Sequence, residues 1–194
     1  PEKKETIVKK PAVKTVKNLF NSKSLETAVK EWLENSSIAE KKYGHISKWD
    51  VSNVAYMTSL FFKANSFNED ISRWDVSNVN NMRGMFCGAT TFNQDISKWD
   101  VSKVTDMVIM FSDAPSFNQD ISKWDVSNVI EMKSMFSGAN SFNQNIGSWN
   151  VSKVTTMEQM FFRIKAFNQD ISKWDTSNVT EMKYMFSGAE SFNQ

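Results

Sequence analysis

A tryptophan recurs every 25 residues along most of this 194-residue chain, and its neighbours recur with it. Five of the six copies read W-D-[VT]-S-[NK]-V, and the remaining copy differs only in having Asn150 in place of the acid. The tryptophans are Trp49, Trp74, Trp99, Trp124, Trp149 and Trp174. A fixed period of this length is typical of a solenoid, in which each repeat is one supersecondary unit packed on the next. The pattern favours a scaffold or a binding surface over an enzyme.

The apolar positions within the repeat predict one helix and one short strand. Val79, Met82, Met85, Phe86 and Ala89 have the spacing of a single helical stripe. The segment before them, I-S-R-W-D-V, alternates apolar and polar residues, as in a strand with one buried face. Connections between parallel strands are right-handed. The sequence therefore predicts a right-handed α/β solenoid with one strand and one helix per repeat.

The repeat also resembles known families. The segment from Ile71 to Val79 matches the L-x-x-L-x-L register of leucine-rich repeats. The full unit, W-D-V-S-N-V-[TI]-x-M-x-x-M-F-x-x-A-x-S-F-N-Q-D-I-S, is similar to the repeat of BspA-like bacterial surface proteins and mycoplasma-type lipoproteins over residues 43–194. The resemblance implies a leucine-rich-repeat-like solenoid that is extracellular or displayed on a cell surface, where it acts as an adhesin or recognition scaffold.

Two departures from the leucine-rich pattern qualify that resemblance. Trp, Met and Phe replace Leu nearly throughout, which predicts a wider core. Val79 stands where many such repeats place a ladder asparagine. The ladder role is then expected at Asn68, Asn93, Asn118, Asn143, Asn168 and Asn193.

We expect three segments along the chain. Residues 1–20 read as a flexible basic arm or linker. Residues 21–48 read as an N-terminal helical cap, because an apolar stripe at helical spacing runs from Leu25 to Leu33. Residues 49–194 hold six repeat units, of which the last is incomplete and lacks a cap. We therefore expect either a longer array or self-association through that end.

Composition limits the classes of partner. The first 48 residues carry 11 Lys or Arg against 6 Asp or Glu, but aromatic residues are nearly absent from the arm, so a solvated linker is favoured over a nucleic-acid contact. No apolar run reaches transmembrane length. The chain starts with Pro1 and shows no signal peptide, which favours a processed or trimmed N-terminus.

Two reactive residue types were weighed as catalytic groups. Cys87 is the sole cysteine, which excludes an internal disulfide framework, and it is interpreted as a tolerated small residue. A Ser/His/Asp site around His45 stays open, although a role for that residue in the cap is favoured.

Carboxylates form two series with the period of the repeat. The first acidic column comprises Asp50, Asp75, Asp100, Asp125 and Asp175, completed by Asn150. The second acidic column comprises Asp70, Asp95, Asp120 and Asp170, completed by Asn145. Stacked like charges repel, so we expect serine, asparagine and backbone donors to compensate them. Bridging Ca²⁺ is the alternative, disfavoured because the acids lack the dense spacing of a calcium loop. No other cofactor or metal site is expected.

The predicted strand face barely varies between copies, whereas variable positions cluster on the predicted helix. Such uniformity suits a periodic partner, namely a polysaccharide, a polymer surface or another copy of the chain, and a protein partner stays open. The candidate binding residues are Asp50, Asp75, Asp100, Asp125, Asp175, Lys98, Lys123 and Lys173. The alternatives are a structural spacer or self-assembly array without a soluble ligand, and intracellular regulation through the helix face. The strongest irregularity is the fifth unit, near Asn145, Gly147 and Asn150.

Overall fold

The computed structural model describes residues 19–194. Residues 1–18 of the predicted arm, which is expected over residues 1–20, therefore lie outside the described residues. Helix α1 spans Ser22–Glu34, helix α2 spans Ser36–Tyr43, and a 3-10 helix spans Ile46–Lys48. In the described part of the chain, every helix thus lies within the segment that precedes the first repeat tryptophan.

The two helices begin and end where their capping residues dictate. Asn21 and Ser24 form a capping box, since the side chain of each accepts a hydrogen bond from the backbone N–H of the other, at 2.9 and 3.0 Å. Asn35 caps α2 by accepting from the Ile38 N–H at 3.1 Å, and α2 ends at Gly44 with φ of 74°. Helix α1 buries the apolar stripe that includes Leu25.

The predicted right-handed, leucine-rich-repeat-like α/β solenoid is wrong. Residues 49–194 contain no helix and no strand longer than a single bridged residue. Each repeat is instead built from consecutive turns, and successive copies pack against each other through side chains and short backbone ladders.

The predicted helix over residues 79–89 is replaced by turns in which an N–H donates to the carbonyl three residues earlier. In the second repeat, the N–H groups of Met85 and Cys87 donate to the carbonyls of Met82 and Gly84, each at 3.1 Å. The N–H groups at every second position donate to carbonyls of the following repeat at 2.8–3.0 Å: Met82 to Asp106, Gly84 to Val108, Phe86 to Met110, and Gly88 to Ser112. Those N–H groups are unavailable for the i→i−4 bonds of a helix. Because turns also advance by about three residues, they reproduce the apolar spacing that predicted the helix.

The predicted strand is likewise a pair of turns. The Trp74 N–H donates to the Ile71 carbonyl at 3.1 Å, and the Val79 N–H donates to the Val76 carbonyl at 2.8 Å. Parallel pairing between repeats is limited to one bridged residue per copy, in the series Tyr56, Asn81, Asp106, Glu131, Thr156 and Glu181. The alternation that predicted a strand reflects which side of each turn is buried.

Aromatic rings fill the core between the copies. Each repeat tryptophan is at most 8% exposed. From Trp74 onwards the indole N–H donates to the carbonyl of the isoleucine 28 residues earlier, for example from Trp99 to Ile71 at 3.2 Å, whereas that of Trp49 donates to the Gly44 carbonyl at 2.9 Å. Phenylalanines form two ladders, with centroid separations of 5.4–5.9 Å in one and 5.9–6.1 Å in the other. The first ladder is Phe61, Phe86, Phe111, Phe136, Phe161 and Phe186, and the second is Phe67, Phe92, Phe117, Phe142, Phe167 and Phe192.

The segment before the repeats covers one edge of the first copy. Phe20 is buried, and its ring centroid lies 5.0 Å from that of Trp49. The hydroxyl of Ser22 accepts from the N–H groups of Ala55 and Tyr56, at 3.3 and 3.1 Å. In later copies the N–H equivalent to that of Ala55 donates to a carbonyl of the preceding repeat, as from Asn80 to Ala55 at 2.9 Å. Ser22 supplies the acceptor in its place for the first copy.

Candidate binding surface

Each member of the first acidic column caps its own turn. Oδ1 of Asp75 accepts from the backbone N–H of Ser77 at 3.1 Å. The same bond forms at Asp50, Asp100, Asp125 and Asp175, at 3.0–3.2 Å. Asn150 accepts equally from the Ser152 N–H at 3.1 Å. The aspartates are thus Asx turns, in which an amide can replace a carboxylate.

The second acidic column repeats this geometry. Asp70 accepts from the Ser72 N–H at 2.9 Å, and Asp95, Asp120 and Asp170 make the equivalent bond at the same distance. Asn145 accepts from the Gly147 N–H at 3.1 Å. Serine and backbone N–H groups therefore compensate the stacked carboxylates.

These local donors outweigh repulsion between neighbouring carboxylates. Hydrogen bonds from Ser127, first from its hydroxyl and then from its backbone, lower the pKa of Asp125, against smaller opposing effects of burial and of the negative charge on Asp100. The paired serine likewise lowers the pKa of Asp70, Asp95, Asp100, Asp120, Asp170 and Asp175. These seven carboxylates are therefore ionised at neutral pH and keep acceptor capacity for hydrogen bonds from outside.

Between the two acidic columns runs a basic column: Lys48, Arg73, Lys98, Lys123 and Lys173, with Ser148 at the fifth position. The candidate lysines Lys98, Lys123 and Lys173 are exposed, and their positive charges contribute to the lowered pKa of Asp95, Asp120 and Asp170. The surface is therefore an exposed band of acidic, basic and acidic columns, which we call the striped face.

The asparagines predicted as a ladder connect every pair of neighbouring copies. Oδ1 of Asn68 accepts from the backbone N–H of Asn93 at 2.9 Å, and this bond recurs from copy to copy through Asn118, Asn143, Asn168 and Asn193 at 2.9–3.0 Å. From Asn93 onwards, the glutamine after the asparagine also reaches back to the preceding copy, as Gln119 Nε2 donates to the Asn93 carbonyl at 2.9 Å. These side chains are structural and hold adjacent copies in register.

The other residues weighed from the sequence have local roles. Nδ1 of His45 lies 2.8 Å from the Ser47 hydroxyl and accepts from the Ser47 N–H at 3.3 Å, so the ring caps the 3-10 helix. Burial is the main cause that raises the pKa of the Cys87 thiol, which weakens it as a nucleophile. Across residues 19–194, no three His, Cys, Asp or Glu side chains converge as a metal-binding group.

The sequence matches the model of a protein family over residues 27–144 and again over residues 117–194. That family is described as "Mycoplasma protein of unknown function, DUF285". The chain belongs to this family. Searches of curated proteins and of solved structures returned no match. The family assignment confirms the mycoplasma-type repeat, and it does not extend to the BspA-like or leucine-rich-repeat assignment.

Other features of this DUF285 chain bear on its surface. None of the helices in the described part has the length and apolar character needed to cross a membrane. One column missed by sequence reasoning joins alternate asparagine and lysine side chains: Lys103 Nζ donates to Asn78 Oδ1, and Lys153 Nζ to Asn128 Oδ1, each at 2.7 Å. The sequence signal for this column is the variation between Asn and Lys at one position of W-D-V-S-[NK]-V. A comparison that treats the two residues as equivalent does not reveal that they pair between neighbouring copies.

Proposed function

We propose that the chain is a surface-displayed binding or adhesion scaffold that recognises a protein or a repetitive glycan through the striped face. The observation that carries this proposal is the recurrence of the same exposed carboxylates and lysines in successive copies. Neighbouring bridged backbones lie about 4.7–4.9 Å apart. Such a face offers one set of hydrogen-bonding and charged groups at each level, which suits a partner that also repeats.

The resemblance of the repeat to BspA-like surface proteins and mycoplasma-type lipoproteins supports display outside the cell. Membership of the mycoplasma family is consistent with that location. The exposure of the columns supports the contact itself, because the carboxylates use Oδ1 within their own turns and retain further acceptor capacity.

The fifth unit interrupts the striped face at a single level. Asn145, Ser148 and Asn150 replace two acids and one base, and Gly147 replaces the serine of the other copies. A Cβ at Gly147 would collide with the carbonyl oxygen of Asp170, so the next copy occupies the space of a side chain here. This neutral level is where we place any contact specific to one unit of the partner.

The test is binding to a glycan array and to immobilised extracellular matrix proteins, with the chain compared against a triple variant Lys98→Ser, Asp100→Asn, Asp95→Asn. These changes copy the fifth unit into the third level, so the fold is retained. We expect binding by the parent chain and a loss of affinity in the variant. A matched control, Lys30→Ser on the exposed side of α1, should bind as the parent does. Absence of binding to every probe, or equal binding by the variant, contradicts the proposal.

A structural spacer or self-assembly array is the second candidate. One observation favours it: each interior copy bonds the next through the backbone, as the Phe86 N–H donates to the Met110 carbonyl at 2.9 Å, so like units join through identical contacts. Native mass spectrometry over a concentration series separates the candidates. Ordered oligomers favour assembly, and a monomer that binds a glycan or protein favours the scaffold. Neither candidate requires catalysis or a cofactor, and we expect no enzymatic activity.

A further inference from the structure

The asparagine ladder has an open first rung. The backbone N–H of Asn93 donates to the Asn68 side chain, and every later asparagine follows suit. Asn68 itself has no preceding copy, and its backbone N–H has no acceptor within residues 19–194. The hydroxyl of Ser66 also lacks a partner in that range, whereas Thr91 and Ser116 at the same position of the next copies donate to carbonyls.

The residue after the open rung differs from all its counterparts. Glu69 stands where Gln94, Gln119, Gln144, Gln169 and Gln194 occur in the other copies. Those glutamines donate a side-chain N–H to the preceding asparagine, whereas the equivalent preceding position for the first copy is Tyr43. A carboxylate at this position accepts hydrogen bonds instead. Oε2 of Glu69 lies 3.8 Å from His45 Nε2, so the carboxylate has a weak contact and remains half-exposed.

A cleft of about 380 Å³ lies beside this rung, between the junction of α1 and α2 and the first copy. Its lining includes Trp32, Leu33 and Phe67 as apolar groups, and Glu34 and Glu69 as carboxylates. The volume falls in the range of small-ligand pockets, about 300–1,000 Å³. Trp32 and Phe67 are buried, whereas Leu33 is exposed, so the accessible lining combines one apolar side chain with two carboxylates. This combination suits an alkyl stem that ends in a positive charge.

We infer that this cleft binds an extended peptide segment of a partner protein that carries a lysine or arginine. A carbonyl of the segment accepts from the Asn68 N–H, which supplies the rung that the preceding copy provides elsewhere. The basic side chain lies along Leu33 and donates to Glu69, with Glu34 nearby. The mode is the addition of one peptide rung to an exposed backbone ladder. This site adjoins the striped face in sequence, because Glu69 directly precedes Asp70, but it does not depend on the function proposed for that face.

The probe is a fluorescein-labelled, acetylated Thr-Val-Lys-Val-Thr peptide, with Gln in place of Lys as the matched peptide. Binding is followed by fluorescence polarisation and by backbone amide NMR of the full chain. We expect saturable shifts of the Asn68 and Glu69 amides, with the equivalent Asn118 amide unmoved. The Glu69→Gln variant restores the glutamine of the other copies, so it folds, and it should weaken binding about tenfold by removing a charge-assisted hydrogen bond.

The control variant Glu190→Gln removes an exposed carboxylate of the last copy and should bind as the parent does. The inference is overturned by any of three results: no saturable shift at Asn68, equal affinity of the Glu69→Gln variant, or equal affinity of the Gln-containing peptide. Failure of the glycan and matrix-protein assay leaves these readouts unaffected, because it reports on the striped face.

Discussion

The side chain of Lys63 lies over the α-carbon of Gly88 in the next copy. A Cβ on Gly88 would meet Lys63 Cγ at 3.1 Å and Lys63 Cα at 3.4 Å. Both residues have positive φ, 54° for Lys63 and 72° for Gly88. The same relationship recurs between Asp113 and Gly138 and between Arg163 and Gly188, so the glycine of each even copy makes room for a charged residue of the odd copy before it.

This relationship predicts unequal effects of alanine at two glycines. Gly44 also has positive φ, of 74°, but a Cβ there meets nothing within 4 Å. Gly44→Ala should therefore cost only the backbone strain of its conformation, φ 74° and ψ 174°, which is about 1–3 kcal/mol. Gly88→Ala should cost more, because it adds the contact with Lys63. The measurement is the urea midpoint of unfolding, and an equal or smaller shift for Gly88→Ala would show that the contact is not restrictive.

The asparagine ladder predicts a large effect at an interior rung. In Asn118→Ala, the Asn143 N–H loses its acceptor, at 3.0 Å, and the Gln144 side chain loses one of its two, at 2.8 Å. The free energy of unfolding should therefore fall by about 1–3 kcal/mol. The control is Asn193→Ala, which keeps the backbone N–H that donates to Asn168. Unfolding followed by circular dichroism should show little change for the control, and equal losses would contradict a ladder role for Asn118.

The lowered aspartate pKa values predict loss of stability in acid. A group whose pKa in the folded chain is lower than about 3.9, the unfolded value, stabilises the fold above that pH, and this contribution disappears as pH falls through the folded pKa. Stability should thus be flat above about pH 5 and fall steeply below about pH 4. Asp125→Asn keeps the Asx turn, as Asn150 does, and should reduce the acid-side slope. Urea unfolding between about pH 2 and 7 measures it; an unchanged slope would show that Asp125 is not among the groups responsible.

Calcium provides a further test of the acidic columns. Their carboxylates are engaged by serine and backbone donors, and no three acidic or other ligating side chains converge anywhere between residues 19 and 194. We therefore expect the melting temperature after chelator treatment to stay the same on addition of millimolar calcium. Magnesium at equal ionic strength is the control for general screening. A rise that is specific to calcium would favour bridging between carboxylates of adjacent copies.

The sequence is sufficient to predict which side chains the copies bury, but not the backbone conformation of the copies. The apolar positions of one repeat, such as Met82, Met85 and Phe86, are buried as the pattern requires. Their spacing fits both a helix and a run of three-residue turns, and the deciding bonds are formed with residues 24 positions later. The helix propensity of a short segment contains no information about hydrogen bonds to residues 24 positions away. The helix was therefore predicted wrongly.

The candidate surface was predictable to a similar degree. The period alone identified the acidic columns, and stacked like charges required compensating donors, which the structure places at serines such as Ser77 and Ser102. The open rung at Asn68 and the cleft at Trp32 could not be predicted, because they depend on how α1 sits against the first copy. Glu69 was the one available signal, as the only departure from glutamine at its position.

The forward direction of the backbone donors makes the array polar. From Phe61 to Phe161, the N–H groups at the position of Phe86 donate towards the next repeat, so the front and the back of these copies are chemically different. Two arrays can extend each other through these bonds only head to tail. If the repeats bind a chain-like ligand with distinct ends, we expect one preferred direction, because reversing the ligand would place each of its groups against a chemically different neighbour.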